Sequence, residues 1–147
     1  MSQNWFKDMQ ALHQKFGVAD WMQQKVVHNE IEMLRKYLAF RLLMCTEELS
    51  ETFSAALVQD NPEEVVDGLV DLCVFAIGTL EVLGVDANAA WNAVHKANMA
   101  KIPGVKAGRP NPWGMPDLIK PEGWRGPSHA GNHGYLPGIL REQKHEV

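Results

Sequence analysis

Two long helical patterns separated by one short break constrain the fold of this chain more than any other feature. The first pattern begins near Asn29 and continues to about Val58, and its apolar positions recur every three or four residues. These positions are Ile31, Leu34, Leu38, Leu42, Cys45, Leu49, Phe53 and Leu57. The break is Asp60-Asn61-Pro62, in which the asparagine suits a helix N-cap and the proline a first helical turn. A connection this short predicts two neighbouring antiparallel helices.

The helix that follows the break is apolar on nearly every side and still carries carboxylates. It extends to Leu83 and is predicted to end at Gly84. A helix that is apolar all round is normally buried, so we expect this one in the core. Asp67 and Asp71 lie one turn apart on one of its faces, and Glu64 extends that row. Unpaired buried carboxylates cost on the order of several kcal/mol each, so they require basic partners or a cation.

The preceding helix presents a second acidic group. Glu48 and Glu51 lie three residues apart on one face, beside Glu47. Antiparallel packing would bring five or six carboxylates together, with Arg41 the most notable base nearby in sequence. Carboxylate oxygens are the ligands that hard divalent cations prefer, so the pattern predicts a metal site. The alternatives are a solvated face for the three glutamates and a capping role for Glu64.

Two more helical patterns complete an all-α prediction with a four-helix core. One extends from about Ser2 to Phe16, and the other from after Asp86 to about Lys101. We therefore assign residues 1–102 to a helical core and 103–147 to a C-terminal arm. The arm is rich in proline and glycine but keeps tryptophan and leucine side chains, which predicts that it packs on the core or on a neighbouring subunit.

The charge distribution restricts the class of ligand. The formal net charge of −4 argues against a nucleic-acid binder that depends on bulk charge, so no nucleic-acid partner is expected. Residues 1–95 nevertheless hold 14 acids and 6 bases, whereas 96–147 hold 4 acids and 8 bases. An acidic first part that needs cations and a basic last part that suits phosphates would together suit a triphosphate with its metal ions.

No stretch has the composition of a signal peptide or of a membrane span. The opening residues lack a basic region followed by an apolar stretch. The longest apolar-dominated run, Leu69 to Leu83, contains two acids and is shorter than the roughly 20 residues that a span needs. We therefore expect a soluble, cytoplasmic protein without a membrane partner.

Five segments, taken in order, resemble the all-α nucleoside triphosphate pyrophosphatases. They are Leu12-His13-Gln14-Lys15-Phe16-Gly17, Glu47-Glu48-Leu49-Ser50-Glu51, Asp67-Gly68-Leu69-Val70-Asp71-Leu72, Val94-His95-Lys96-Ala97-Asn98-Met99-Ala100-Lys101 and Ile119-Lys120-Pro121-Glu122-Gly123-Trp124. This superfamily includes MazG-like enzymes, dimeric dUTPases and phosphoribosyl-ATP pyrophosphohydrolase. The first and last segments resemble phage-type MazG-like members.

The resemblance implies an all-α fold with a four-helix core, assembled as a homodimer or homotetramer. It also implies cleavage of the α–β phosphate bond of a nucleoside triphosphate with Mg²⁺, for which Mn²⁺ could substitute. A phage-type member would adjust a deoxynucleotide pool in the host cytoplasm. Some such members, called MazZ, favour dGTP, which makes dGTP a candidate substrate here.

The family pattern has two acidic pairs, E-x-x-E and then E-x-x-D. Glu48 and Glu51 match the first pair, and either of them is a candidate general base. The second pair departs from the pattern, because Gly68 stands three residues before Asp71. We prefer Asp67 and Asp71 as the remaining metal ligands.

Other ligand assignments remain open in the sequence. Glu64 with Asp67 could be the second pair, which would make Asp71 an additional ligand. Glu47 is a further candidate ligand.

Substrate contacts are predicted on the fourth helix, where Asn98 and Lys101 share a face. The lysine would bind phosphate and the asparagine phosphate or sugar, although a lysine in a last helical turn also complements the helix dipole. Arg109, Lys120 and Trp91 are additional candidates.

The sequence thus predicts a metal-dependent nucleoside or deoxynucleoside triphosphate pyrophosphohydrolase. The alternatives are phosphoribosyl-ATP hydrolysis in histidine biosynthesis and a non-enzymatic helical module that binds a partner through its basic arm.

Overall fold

The structure, a computed structural model, describes residues 4–109 and 111–140. It is mostly helical, which confirms the all-α prediction. The helices are α1 (Trp5–Lys15), α2 (Val18–Val27), α3 (Ile31–Leu57), α4 (Pro62–Val82), α5 (Ala87–Met99) and α6 (Leu136–Ile139). Two short antiparallel strands, β1 (Ile102–Gly104) and β2 (Asp117–Ile119), complete the described part of the chain.

Helices α3 and α4 form the predicted antiparallel pair. The Asn61 side chain caps α4 by accepting from the Glu64 backbone N–H. At the connected end of the pair, Thr52 of α3 lies against Gly68 of α4. Arg41, three turns earlier in α3, contacts a later part of α4. The two helices therefore run in opposite directions side by side.

Helix α2 was missed by the sequence interpretation. Gly17 has φ +74° and ends α1, as predicted, but a second helix begins at once at Val18. A left-handed glycine both terminates one helix and redirects the chain, so the same residue marks the start of the next. The predicted start of the first helix at Ser2 lies outside the described residues.

The prediction that α4 is buried on all sides is wrong for the single chain. Only Gly78, Thr79 and Val82 are buried in this helix, whereas Val66 is 64% exposed. The apolar stripe of α3 shows the same behaviour in its second half, where Phe53 is 62% exposed. Apolar periodicity indicates which face of a helix favours burial, but it does not show which other element covers that face.

The side of α3 that faces α4 near the connected end is instead formed by Glu48, Thr52 and Ala55. Thr52 and Ala55 are buried, and Glu48 is half-buried. These residues are spaced by four and three, so they share one face of the helix. In this part of α3 the apolar stripe therefore points away from α4, and the acidic face points toward it.

At the other end, α1, α3 and α4 enclose a buried polar network. His13 is 2% exposed and its Nδ1 hydrogen-bonds Glu81 Oε2. Arg41 donates from Nε to Thr79 Oγ1 (3.0 Å) and from Nη2 to the Phe75 carbonyl (3.2 Å). Each buried group in this network therefore has a polar partner, as burial requires.

By its contacts, the described chain divides into two compact units. One comprises residues 4–87 and 133–140, and the other lies within Asn88–Asn132. In the first, the Tyr135 N–H donates to the Leu83 carbonyl (2.8 Å) and Arg35 Nε donates to the Ile139 carbonyl (2.7 Å). The last described residues are thereby tied to the helical body.

The second unit contains most of α5 and the β1–β2 pair. Ile102 pairs with Ile119 and Gly104 with Asp117. Trp124 Nε1 donates to the Ala97 carbonyl (2.8 Å), which attaches the proline- and glycine-rich segment to α5. The division into a core of residues 1–102 and an arm of 103–147 stays a prediction.

No single helix in the described ranges is both long enough and apolar enough to cross a membrane. Helices α4 and α5 satisfy the criteria of length and composition only when they are taken together.

Candidate active site

A cavity of about 240 Å³ opens where the acidic faces of α3 and α4 meet. Both predicted acidic groups contribute to it, so the structure brings together carboxylates that are distant in sequence. Its lining residues are Glu48, Glu51, Thr52, Ser54, Ala55, Gln59, Glu64, Asp67, Gly68 and Asp71. Glu47, another candidate ligand, is exposed and is not part of this lining.

The contact between Thr52 and Gly68 determines how closely α3 and α4 approach each other at this cavity. Thr52 Oγ1 donates to the Glu48 carbonyl one turn earlier (2.7 Å), which directs the side chain along its own helix. A Cβ added to Gly68 would lie 2.2 Å from that hydroxyl oxygen. The glycine at the departure from the E-x-x-D pattern is therefore required by packing. Sequence reasoning missed Thr52, although its position four residues after Glu48 places it on the same face.

The carboxylates at this cavity act on one another electrostatically. Partial burial raises the pKa of the Glu48 carboxyl above its ordinary value, and the negative charges of Asp71, Glu51, Glu47 and Asp67 raise it further. A raised pKa means that the folded protein resists the negative charge at this position.

Basic side chains do not balance these charges. In the part of the chain that the structure describes, no Lys, Arg or His forms an ion pair with the cavity carboxylates. Arg41, the base nearest in sequence, is committed to Thr79 and Phe75 at the other end of the helix pair.

The carboxylates of the cavity are side chains of the type that binds Mg²⁺, although their oxygen atoms do not converge on one point in the structure. Among residues 4–109 and 111–140, no group of three or more His, Cys, Asp or Glu side chains is close enough to hold a metal ion. Mg²⁺ in nucleotide-binding proteins typically takes only one or two carboxylates and completes its shell with water and phosphate oxygens. The carboxylates of the cavity fit that requirement.

The predicted substrate residues lie in the second unit. Lys101 Nζ donates to Asn98 Oδ1 (2.8 Å) and lies 5.5 Å from the centre of the Trp124 ring. Lys120 Nζ lies 4.7 Å from the same centre. Trp91 is exposed on α5, so its ring is accessible.

Arg109 is the last of these predicted substrate residues. Its backbone N–H donates to the Lys106 carbonyl (3.1 Å), and its side chain is exposed.

A sequence model of the phosphoribosyl-ATP pyrophosphohydrolase family matches residues 12–98. The match covers more than half of the chain, including α3, α4 and the carboxylate cavity between them. The chain belongs to this family. A search among curated proteins finds no match.

General properties of the family indicate what such a site does in its enzymes. The family includes MazG-like all-α pyrophosphatases, its enzymes are pyrophosphohydrolases that act on nucleotides, and they typically depend on divalent metal ions. The matched range ends at Asn98, so Lys101, Lys120 and Trp124 lie beyond it.

Proposed function

We propose that this protein is a Mg²⁺-dependent pyrophosphohydrolase of nucleoside or deoxynucleoside triphosphates. The products would be a nucleoside monophosphate and pyrophosphate. The observation that carries the proposal is that five carboxylates from α3 and α4 line one cavity, namely Glu48, Glu51, Glu64, Asp67 and Asp71. These carboxylates form no ion pair among the described residues, and Glu51, Glu64 and Asp67 are exposed, so they are free to bind a hydrated divalent cation that also carries phosphate oxygens.

Glu48 is the best candidate for the general base. Its pKa is raised by partial burial and by the neighbouring carboxylates, which makes it a better proton acceptor than an ordinary glutamate. In the reaction it would take a proton from the attacking water as the oxygen bonds to the α-phosphorus and the α–β bridging bond breaks. Glu51, Asp67 and Asp71 would hold the cation, with Glu64 and Glu47 as further candidates.

Bound Mg²⁺ would supply charge neutralisation for the phosphate chain. The contribution of the protein is to position the ligands, since helices α3 and α4 fix both acidic pairs on packed, rigid elements. In this proposal Asn98 and Lys101 contact the phosphates or the sugar, and Arg109, Lys120 and Trp91 are additional candidates.

An oligomer, as a homodimer or homotetramer, belongs to the same proposal. The outward faces of α3 and α4 expose a set of large apolar side chains beside the cavity, namely Leu49, Phe53, Leu57, Val66, Leu69 and Val70. A set of large exposed apolar side chains of this size indicates an interaction surface. Size-exclusion chromatography with light scattering should give a mass above that of one chain, and Phe53→Glu should lower it.

A substrate panel is the decisive experiment. Purified protein with Mg²⁺, and in parallel with Mn²⁺, is incubated with the NTPs, the dNTPs including dGTP, and phosphoribosyl-ATP. Release of pyrophosphate from a triphosphate supports the proposal. Preference for dGTP would favour a role in a phage deoxynucleotide pool within a host cytoplasm.

Two other outcomes have a definite interpretation. Exclusive hydrolysis of phosphoribosyl-ATP would replace the proposed substrate by the one that gives the family its name. If no compound reacts and divalent ions do not raise thermal stability, the chain is a helical binding module that retains the fold without the reaction.

A further inference from the structure

A second cavity, of about 500 Å³, lies beside the β1–β2 pair, where the chain connects the two strands. All the residues that line it belong to the second unit. Pro103, Val105 and Met115 give it apolar walls, and Asn111 and Asp117 are its two polar side chains. Its volume is within the range of small-molecule sites, roughly 300–1,000 Å³, and such sites combine apolar walls with a few polar groups.

Asp117 has a carboxylate oxygen that folding leaves unsatisfied. Its Oδ2 atom is buried and has no hydrogen-bond partner. The residue directly opposite in the strand pair is Gly104, which has no side chain to offer. Within the described ranges, no Lys, Arg or His forms an ion pair with Asp117. A buried polar group without a partner destabilises the fold, so a ligand that donates hydrogen bonds here would relieve that cost.

A small rotation is enough to present both oxygens of Asp117 to the cavity. The last torsion of an aspartate side chain has a broad energy minimum, so it turns at little cost.

Asn111 presents a donor to the same cavity. Its Oδ1 accepts from the Trp113 backbone N–H (2.9 Å), which fixes the orientation of the amide. The NH₂ group is therefore the part of this side chain that is left to contact a ligand. The cavity thus offers a charged acceptor and a neutral donor between apolar walls.

We propose that this cavity is a subsite for a guanine base, with Asp117 as the residue that determines specificity. Guanine has two adjacent donors, N1–H and the 2-amino group, which match the two oxygens of a carboxylate. Its O6 is an acceptor that suits the NH₂ group of Asn111.

The other bases fit a carboxylate less well. Adenine and cytosine place an unprotonated ring nitrogen beside their amino group, and uracil and thymine place a carbonyl oxygen on each side of N3–H. In each case a lone pair would face the charge of Asp117, which disfavours binding.

A metal ion is a poorer match for the same cavity. Among the described residues that line it, Asp117 is the only ionisable side chain, and the oxygen of Asn111 already accepts a hydrogen bond. Hard cations require about six or more oxygen ligands, so one carboxylate does not account for a site.

The subsite deepens the proposed function. That the guanine belongs to a triphosphate rests on that function, whereas base binding itself rests only on the cavity, Asp117 and Asn111. The cavity also lies beyond residues 12–98, the range that the family model matches.

Nucleosides test the subsite without phosphates or metal. Calorimetry with the full chain in EDTA compares guanosine with inosine, which lacks only the 2-amino group, and with adenosine. We expect saturable binding of guanosine. Inosine should bind about tenfold more weakly, because it loses a hydrogen bond to a charged group, and adenosine should bind more weakly still.

Asp117→Asn should reverse the preference of the cavity. A carboxamide can donate to the 2-oxo group of xanthosine, so this variant should bind xanthosine more tightly than guanosine, which should itself bind at least about tenfold more weakly than to the parent protein. The melting temperature should not fall, because Asp117 Oδ2 has no partner to lose.

Asn111→Asp tests the donor separately. It keeps an oxygen for the Trp113 N–H but replaces the NH₂ group by a second oxygen. Guanosine should again bind at least about tenfold more weakly, since that oxygen would face O6.

Glu122→Gln is the matched control. It removes the same charge from an exposed residue of the second unit that is not part of the cavity lining. It should change the affinity for guanosine by less than about twofold, because an exposed charge is screened by solvent and salt.

Several results would overturn the subsite. They are the absence of saturable guanosine binding, equal binding of guanosine, inosine and adenosine, which would indicate stacking on an exposed ring, and an equal loss in Glu122→Gln. Free arginine that binds as tightly as guanosine would also overturn it, because the cavity would then fit a guanidinium group of a protein.

Failure of the proposed function has a different signature. In that case guanosine binds with the expected dependence on Asp117, but no nucleotide is hydrolysed when Mg²⁺ is added. Conversely, hydrolysis of triphosphates by a protein that does not bind guanosine would remove the subsite and leave the proposed function intact.

Discussion

Charged side chains have different surroundings at the two ends of the α3–α4 pair. At the end that α1 covers, His13 hydrogen-bonds Glu81, and Arg41 donates to the Thr79 hydroxyl and the Phe75 carbonyl, so each buried polar side chain of this network has a hydrogen-bond partner. At the connected end, carboxylates face one cavity, and their mutual repulsion contributes to the raised pKa of Glu48. The contacts at the first end stabilise the fold, whereas the carboxylates at the second end repel one another and do not stabilise it.

This contrast predicts opposite signs for the same kind of mutation. Removing a charge from the paired end should lower stability, because a buried partner is left unsatisfied. Removing a charge from the cavity should cost activity and leave stability unchanged or slightly higher. The following variants test the contrast from the largest expected effect to the smallest.

Asp71→Asn should lower pyrophosphate release at least about 100-fold with little change in the melting temperature, because it keeps the shape of a proposed metal ligand but removes its charge. The assay uses the best substrate of the panel with saturating Mg²⁺. Glu63→Gln is the control, since this exposed residue in the first turn of α4 is not part of the cavity lining. Full activity of the Asp71 variant would remove this residue from the metal site.

Glu81→Gln should lower the free energy of unfolding by about 1–3 kcal/mol, because His13 loses a charged partner in a buried site. Urea unfolding followed by circular dichroism measures the change. Glu32→Gln removes the exposed partner of Arg35, and its effect should be below about 0.5 kcal/mol. Equal effects of the two variants would mean that the paired end does not depend on charge.

Gly68→Ala should lower the free energy of unfolding by about 1–2 kcal/mol. The added methyl group meets Thr52 Oγ1, and this overpacking outweighs the gain in helix propensity. Combining it with Thr52→Ala should restore part of the loss. Gly138→Ala, where an added Cβ meets nothing within 4 Å, serves as the control and should be close to neutral. A stable Gly68 variant would contradict the close approach of the two helices.

Glu48→Gln should raise the melting temperature of the metal-free protein by about 1–3 °C near pH 7. The folded state holds the pKa of Glu48 above its unfolded value, so the ionised carboxylate opposes folding. That penalty is absent below the unfolded pKa and grows as the pH rises through the folded pKa. The difference between variant and parent protein should therefore vanish near pH 4. A variant that is less stable than the parent protein at pH 7 would refute the repulsion.

Much of the helical framework was predictable because it depends on local signals. Asn61 and Pro62 mark the start of α4, Gly84 marks its end, and both boundaries agree with the structure. The acidic residues of the candidate site could also be found, since their spacing on helices is a local property. Helix α2 was missed because the glycine that ends α1 carries no sign that a second helix follows directly.

Features that depend on contacts between distant residues could not be predicted in this way. The apolar stripe of α3 indicated an inner face, yet Phe53 on that stripe is exposed and Thr52 beside it is buried. The role of Gly68 emerges only when Thr52 is seen opposite to it. Lys101 and Lys120 both lie near the Trp124 ring, but one follows α5 and the other follows β2, and no periodic pattern links them.

The sequence by itself determined the helical class, the boundaries of the long helices and the positions of the acidic pairs, because capping and periodicity act within a few residues. Only the tertiary structure decided which face of α3 meets α4, which base neutralises which acid and which carboxylates share a cavity. Helix packing sets these relations, and it depends on how whole faces fit together. A carboxylate on a helix becomes a candidate for catalysis only when its neighbours in space, rather than in sequence, leave its charge unbalanced.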